Sequence, residues 1–135
     1  MTDSRPALSA PLVVIVDDDA AVRAALAFTV ELDGYSVVTC PDAAALLALD
    51  LPAKRGCLIL DERLPDISGL AALAQLRLAG CRLPAVLITS HPNRRLRQAA
   101  QRAGAPILEK PLMEDGLIAW VRAAAPQELD NRPPS

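Results

Sequence analysis

Polar side chains that can carry out metal or phosphate chemistry follow four of the short apolar runs in this chain. In chain order they are Asp17, Asp18, Asp61, Thr89 and Lys110. Three carboxylates brought together repel one another, and burial raises their pKa values unless positive charge compensates them. A hard divalent cation such as Mg²⁺, which takes oxygen ligands, would supply that charge together with the ammonium of Lys110. If the strand ends meet, these residue types predict a metal-assisted phosphoryl-transfer site.

Asp61 is the residue best placed to act as the nucleophile, because it ends the run expected at the centre of the sheet. A carboxylate can attack phosphorus and form an acyl phosphate. Phosphoryl transfer needs little else from a protein beyond positioning and neutralisation of the charge on the transferred group. Thr89 can then donate a hydrogen bond to a phosphoryl oxygen.

The elements that must position these residues are short continuous apolar runs alternating with segments of helical period. Continuous runs are typical of strands in a parallel sheet that is covered on both faces. Five such units and right-handed crossovers favour an α/β, flavodoxin-like doubly wound (βα)5 fold with a five-stranded parallel sheet of order 2-1-3-4-5. The carboxyl ends of its strands meet at one crevice. The five polar residues are therefore predicted to converge there.

Cap residues predict where several helices begin. For Asp19 we prefer an N-cap role on the first helix to a metal role, and Ser68 is a plausible cap of the third. The second helix is predicted from Ala43 to Leu49, near Pro52. Pro92 is predicted to open an Arg-rich fourth helix that reaches about Ala103. Trp120 is predicted to be a half-buried packing residue on the last helix.

Composition excludes several classes of function. The chain has 135 residues, of which 52% are hydrophobic, enough for one domain with one core. With 16 acidic and 14 basic residues, no overall field draws it to nucleic acid or to an anionic membrane. Neither a membrane-spanning stretch nor a signal peptide is visible, so a cytoplasmic location is expected. Cys40, Cys57 and Cys81 are expected to be reduced, mostly buried thiols.

Together, the motifs resemble those of receiver domains from bacterial two-component response regulators. They are Val16-Asp17-Asp18-Asp19, Asp61-Glu62-Arg63-Leu64-Pro65 with Gly69, Thr89-Ser90 and Lys110-Pro111. The resemblance covers residues 11–125. Residues 1–10 are interpreted as an N-terminal tail and 126–135 as a C-terminal tail or linker.

The resemblance implies a phosphoacceptor in a signalling phosphorelay. A sensor histidine kinase or a histidine phosphotransfer protein would donate a phosphoryl group to Asp61 in the presence of Mg²⁺. The chain would then be a switch that catalyses only its own phosphorylation and dephosphorylation, not an enzyme. Its expected output face is helix four, strand five and helix five. A homodimer is possible, and direct contact with nucleic acid or membrane is not expected.

The resemblance also assigns roles to individual residues. It makes Asp17 and Asp18 the acidic pair that organises Mg²⁺, Asp61 the phosphorylated residue and a metal ligand, Thr89 the switch hydroxyl and Lys110 the phosphate-binding ammonium. It further implies that the backbone carbonyl of Arg63 binds the metal and that the Lys110–Pro111 peptide is cis.

The sequence departs from the family pattern at Ile107, where receivers commonly carry Tyr or Phe. The output signal is therefore expected to pass through the backbone or other side chains. Arg63 and His91 lie two residues past Asp61 and Thr89 and are expected to tune the lifetime of the phosphoryl group. Glu62 is expected to point away from the pocket, although it could still adjust the local charge. A solvated face is preferred to a docking patch for four arginines, Arg94, Arg95, Arg97 and Arg102.

Other classes of function fit the sequence less well. A dehalogenase-type phosphohydrolase needs a second aspartate two residues after the nucleophile, where Arg63 stands. A flavin or nucleotide carrier needs a Gly-rich or Ser/Thr-rich phosphate loop, and acids occupy that position. A degenerate receiver that acts without phosphorylation is disfavoured because all five site residues are present. A free-standing receiver and a receiver within a longer regulator both remain open.

Overall fold

The structure is a computed structural model and describes residues 10–127. Of the predicted tails, residues 1–9 and 128–135 lie outside this range. The strands are β1 (Leu12–Val16), β2 (Ser36–Cys40), β3 (Gly56–Asp61), β4 (Ala85–Thr89) and β5 (Ile107–Glu109). The helices are α1 (Ala20–Leu32), α2 (Ala43–Leu47), α3 (Gly69–Leu78), α4 (Arg94–Arg102) and α5 (Glu114–Ala124).

All the strands join one parallel sheet of order β2-β1-β3-β4-β5. This is the predicted order, and the predicted fold class is confirmed. The central strand β3 is buried at every position, as expected for a strand covered on both faces. The register pairs Val16 of β1 with Leu60 of β3, so the two strands end side by side.

The apolar core consists of two layers, one on each face of the sheet. Successive strand residues point to opposite faces, so Val14 and Leu58 enter one layer, while Ile15 and Ile59 enter the other. The first layer is closed by α2, α3 and α4, and the second by α1 and α5. Both layers are built almost wholly from aliphatic side chains. Their packing on the two faces of the sheet holds in place the strand ends that carry the polar residues.

Helix caps agree with the sequence at α1 and α3 and differ at α4. Asp19 accepts hydrogen bonds from the backbone of the first turn of α1, and Ser68 does the same for α3. The prediction that Pro92 opens α4 is wrong by two positions, because the helix begins at Arg94. Asn93 is the N-cap, because its side chain accepts a hydrogen bond from Leu96 N and the helix begins after it.

Other features of the described residues match the sequence predictions closely. The α2 helix ends at Leu47, two residues before the predicted Leu49. Cys40 and Cys57 are buried and Cys81 is partly buried, and all are free thiols. Trp120 is half-buried. Within residues 10–127 no helix is both long and apolar enough to cross a membrane.

Candidate functional site

The carboxyl ends of four strands form the walls of one cleft. It has a volume of about 780 Å³. Its lining includes every residue predicted for the site: Asp17, Asp18, Asp61, Arg63, Thr89 and Lys110. The strands position them directly, because Asp61 and Thr89 are the last residues of β3 and β4. The predicted convergence of these side chains is therefore present in the folded chain.

Three carboxylates approach one another at the floor of the cleft. Asp17, Asp18 and Asp61 each offer an oxygen, and these atoms lie within 4.8 Å of one another. Asp17 is 3% exposed and Asp61 is 5% exposed, whereas Asp18 lies at the surface. Two buried carboxylates therefore lie close together, with oxygens within 4.8 Å of each other.

The ammonium of Lys110 lies between the two buried carboxylates. Its Nζ is 3.1 Å from Asp61 Oδ2 and 3.6 Å from Asp17 Oδ2. Burial alone lowers the pKa of Lys110, but the hydrogen bond to Asp61 and the two carboxylate charges outweigh it and raise the pKa above its usual value. Lys110 is thus held as a cation in the site. The peptide that follows it, Lys110–Pro111, is cis, as expected.

A single ammonium does not balance the carboxylates around it. Burial raises the pKa of Asp17, and the charge of Asp61 adds to the effect, although Asp19 N donates a hydrogen bond to Asp17 Oδ1 at 2.9 Å. A carboxyl group with a raised pKa lacks part of the compensation that its charged form needs. The uncompensated set of carboxylate oxygens fits a hard divalent cation, which prefers such ligands.

Asp61 is held in one orientation by partners on both of its oxygens. Arg63 N donates to Oδ1 at 3.2 Å, and Lys110 Nζ donates to Oδ2 at 3.1 Å. The backbone approaches closely behind it, since a Cβ on Gly69 would lie 2.5 Å from the carbonyl oxygen of Asp61. A residue other than glycine at position 69 would therefore displace the β3–α3 loop that carries the site.

Thr89 connects the site to the next strand and loop. Its Oγ1 accepts a hydrogen bond from His91 N at 3.2 Å, and its carbonyl accepts one from Lys110 N at 2.9 Å. The side chain of His91 is exposed and lines the cleft, as does that of Arg63. Ile107 is half-buried and lies in a separate groove between α4 and β5, so no ring from β5 stands behind Thr89.

The prediction that Glu62 points away from the pocket is wrong. Glu62 lines the cleft, and its Oε1 accepts a hydrogen bond from Leu70 N at 2.8 Å. The first turn of a helix leaves backbone N–H groups without partners, and α3 recruits this carboxylate to satisfy one of them. Burial raises the pKa of Glu62, and the neighbouring charge of Asp61 adds to the shift.

Asp66 is a structural residue of the β3–α3 loop that sequence reasoning missed. Its carboxylate accepts hydrogen bonds from Ala43 N at 3.1 Å and Ala44 N at 2.8 Å. It therefore ties the β3–α3 loop to the first turn of α2. An acidic residue after Pro65 was visible in the sequence, but its partners lie more than 20 residues away and nothing local signals them.

The arginines of α4 do not all lie on one solvated face. Arg94, Arg97 and Arg102 are exposed and lie outside the cleft, as the preferred interpretation predicted. Arg95 is also exposed, but it lines the cleft together with the apolar side chain of Leu96. No pattern in the sequence distinguishes Arg95 from the neighbouring arginines.

Comparison with protein families and curated proteins gives consistent matches. A family model described as a response regulator receiver domain matches residues 13–122. The transcriptional regulatory protein FixJ of Azorhizobium caulinodans is 41% identical over 111 residues, covering 82% of this chain and 53% of that protein. The response regulator protein TodT of Pseudomonas putida is 38% identical over 129 residues, covering 92% of this chain and 56% of TodT. The chain thus spans about half the length of these relatives.

Solved structures show the same likeness. The response regulator StyR superposes with a TM-score of 0.80 and 33% identity, covering 92% of this chain and 63% of StyR. The structure of FixJ-N has a TM-score of 0.76 and 30% identity, and the match covers 100% of both chains.

Proposed function

Because this chain belongs to the family of response regulator receiver domains, we propose that Asp61 is its phosphoacceptor. Asp61 takes a phosphoryl group from a phosphohistidine of a sensor histidine kinase or a histidine phosphotransfer protein. The reaction depends on Mg²⁺, and its product is an aspartyl phosphate. The chain thereby works as a signalling switch that catalyses only its own phosphorylation and dephosphorylation.

The observation that carries this proposal is the position of Lys110. Its Nζ lies 3.1 Å from Asp61 Oδ2 in a cleft that holds two further carboxylates. A phosphoryl group on Asp61 would carry its negative charge to the place where a fixed ammonium already stands. Such a cation, preorganised in a partly dehydrated site, stabilises charge on the transferred oxygens without reorganising during the reaction.

The metal would be held by the carboxylates of Asp17, Asp18 and Asp61 and by the backbone carbonyl of Arg63. Bound there, Mg²⁺ would neutralise negative charge on the phosphoryl oxygens and offset the repulsion between them and these carboxylates. Asp17 supports this assignment from the structure, because burial raises its pKa and Lys110 alone does not compensate it.

The remaining residues of the cleft orient the carboxylate of Asp61 and respond to its phosphorylation. Arg63 N–H and Lys110 hold the carboxylate of Asp61 so that one face points into the cleft. After transfer, the hydroxyl of Thr89, at the end of β4, donates a hydrogen bond to a phosphoryl oxygen. Its Oγ1 now accepts a hydrogen bond from His91 N, so the β4–α4 loop would rearrange with the hydroxyl. Arg63 and His91 tune the lifetime of the acyl phosphate from the rim.

The signal then leaves through the surface formed by α4, β5 and α5. Ile107 replaces the usual aromatic residue, so the readout passes through the β4–α4 backbone. We place the protein in the cytoplasm, with the donor kinase or phosphotransfer protein as its partner and a homodimer as a possible active form. No helix of residues 10–127 could cross a membrane. In this scheme the chain itself makes no direct contact with nucleic acid.

Intact-mass spectrometry after incubation with phosphoramidate tests the proposal, because this donor has a P–N bond like phosphohistidine. The parent chain is expected to gain the mass of one phosphoryl group when Mg²⁺ is present and not when EDTA replaces it. Asp61→Asn is expected to gain none under either condition. A gain by Asp61→Asn, or an equal gain by the parent in EDTA, would contradict the assignment.

A further inference from the structure

The cleft is larger than its acidic floor, and its remaining wall has a different chemistry. At about 780 Å³ it falls within the range of small-molecule pockets, roughly 300–1,000 Å³. A phosphoryl group and a metal ion with its waters would fill only part of that volume. Leu70 of α3 and Leu96 and Ala99 of α4 supply an apolar wall that lines the same cleft as Arg95.

The cations of the cleft are not equivalent. Lys110 is engaged by Asp61 and Asp17. The guanidinium of Arg95 has no hydrogen-bond or ion-pair partner among the described residues. It is exposed, lies on α4 and lines the same cleft as the carboxylates. Arg95 is therefore available to pair with an anion in the cleft when Lys110 and the metal are engaged by the carboxylates of the floor.

In-line transfer determines which part of a phosphodonor lies away from Asp61. The attacking oxygen of Asp61 and the leaving atom lie on opposite sides of phosphorus. With Asp61 at the floor, the leaving group points outward toward the rim. When the donor is an acyl phosphate, the P–O bond breaks, its electron pair stays on the carboxylate oxygen, and a full negative charge appears there. When the donor has a P–N bond, the electron pair goes to nitrogen and the leaving group takes a proton.

We propose that Arg95 is a specificity residue for small phosphodonors whose leaving group is a carboxylate. This inference rests on the proposed function. Asp61 attacks phosphorus, an Oδ–P bond forms, and the donor P–O bond breaks to release the carboxylate beside the guanidinium. The short acyl group lies against the apolar wall of Leu70, Leu96 and Ala99. Arg95 thus favours acyl phosphates and gives no such help to P–N donors.

The test compares two donors on the whole chain with Mg²⁺ present. The rate of phosphorylation is followed by intact mass with acetyl phosphate and with phosphoramidate. Arg95→Ala is expected to slow the reaction with acetyl phosphate by about five- to tenfold, the scale of one exposed charge-assisted contact. With phosphoramidate the rate is expected to stay within about twofold of the parent rate.

Matched variants separate this role from a structural one. Arg94→Ala removes the neighbouring arginine, which does not line the cleft, and is expected to leave both rates unchanged. Arg95→Lys is expected to recover part of the acetyl phosphate rate. Added salt is expected to shrink the difference between parent and Arg95→Ala, because screening weakens exposed charges. The melting temperature and Mg²⁺ affinity of Arg95→Ala are expected to match those of the parent.

Two results would overturn the inference while leaving the proposed function intact. One is an equal loss with both donors in Arg95→Ala, and the other is no loss with either. Failure of the parent chain to react with phosphoramidate would instead refute the proposed function itself, so the two failures are distinguishable.

Discussion

Two regions of this molecule bring aspartate and a basic residue together, with opposite results. At the floor of the cleft, Asp17 and Asp61 share one ammonium, and burial with like charge raises the pKa of Asp17. At the junction of α1 and α5, Asp33 pairs with Arg122, whose guanidinium lowers the pKa of Asp33. The first region is short of positive charge and the second is not.

The junction is satisfied within the chain. Arg122 Nε donates to Asp33 Oδ2 at 2.9 Å, and its Nη2 donates to the other carboxylate oxygen. Gln127 Nε2 donates to the carbonyl of Asp33 at 2.7 Å, and the buried hydroxyl of Tyr35 donates to the carbonyl of Ala125 at 2.9 Å. These contacts fasten the end of α5 to the α1–β2 turn. Acidic residues stabilise the fold here, whereas at the cleft they cost stability that a ligand can restore.

Removing the cation from each region should give the largest contrast. Lys110→Met leaves two buried carboxylates without a cation to pair with, and we expect it to lower the free energy of unfolding by about 2 kcal/mol in EDTA. Arg122→Met removes one exposed partner and should cost about 0.5–1 kcal/mol. Urea unfolding of both variants measures the difference. Lys110→Met combined with Asp61→Asn should recover most of the loss, and equal losses in the two single variants would remove the contrast.

Mg²⁺ should stabilise the parent chain through the cleft alone. A ligand that binds only the folded state at ten times its Kd adds about 1.4 kcal/mol to the free energy of unfolding. We expect thermal unfolding to show this gain in the parent and equally in Asp33→Asn, but not in Asp61→Asn. A similar gain in Asp61→Asn would mean that the metal binds outside the predicted site.

Neutralising one acid in each region should change stability in opposite directions. In EDTA, Asp17→Asn removes a destabilising charge while keeping an oxygen that can accept from Asp19 N, so we expect a gain of about 1 kcal/mol. Asp33→Asn should lose about 0.5 kcal/mol because its bond to Arg122 weakens. Chemical denaturation in EDTA tests both changes, and a loss in Asp17→Asn would show that its charge is already compensated.

The smallest effect should be the pH dependence of the junction. The pKa of Asp33 is lowered by folding, so its contribution is present above the unfolded pKa of about 4 and is lost as pH falls through the folded pKa. The difference in stability between the parent and Arg122→Met should therefore be constant near neutral pH and shrink below about pH 4. A difference that grows as the solution is acidified would contradict this sign.

The same contrast explains how far sequence reasoning reached. Strand order and the meeting of Asp17, Asp61 and Lys110 followed from apolar runs and from the rule that parallel strands end at one edge. The Asp33–Arg122 pair joins the residue after α1 to a residue of α5, 89 positions apart, and no periodicity signals which of these side chains will meet. The orientation of Glu62 was missed for a related reason, since a free N–H of α3 decided it rather than strand alternation.

Locating the phosphoryl group tests the central claim most directly. After reaction with phosphoramidate and Mg²⁺, borohydride reduction converts an aspartyl phosphate to homoserine, and peptide mass spectrometry then locates the change. We predict homoserine at position 61 and at no other aspartate, with loss of the mass of the phosphoryl group on reduction. Reduction at Asp17 or Asp18, or a phosphoryl group that survives on His91, would contradict the account.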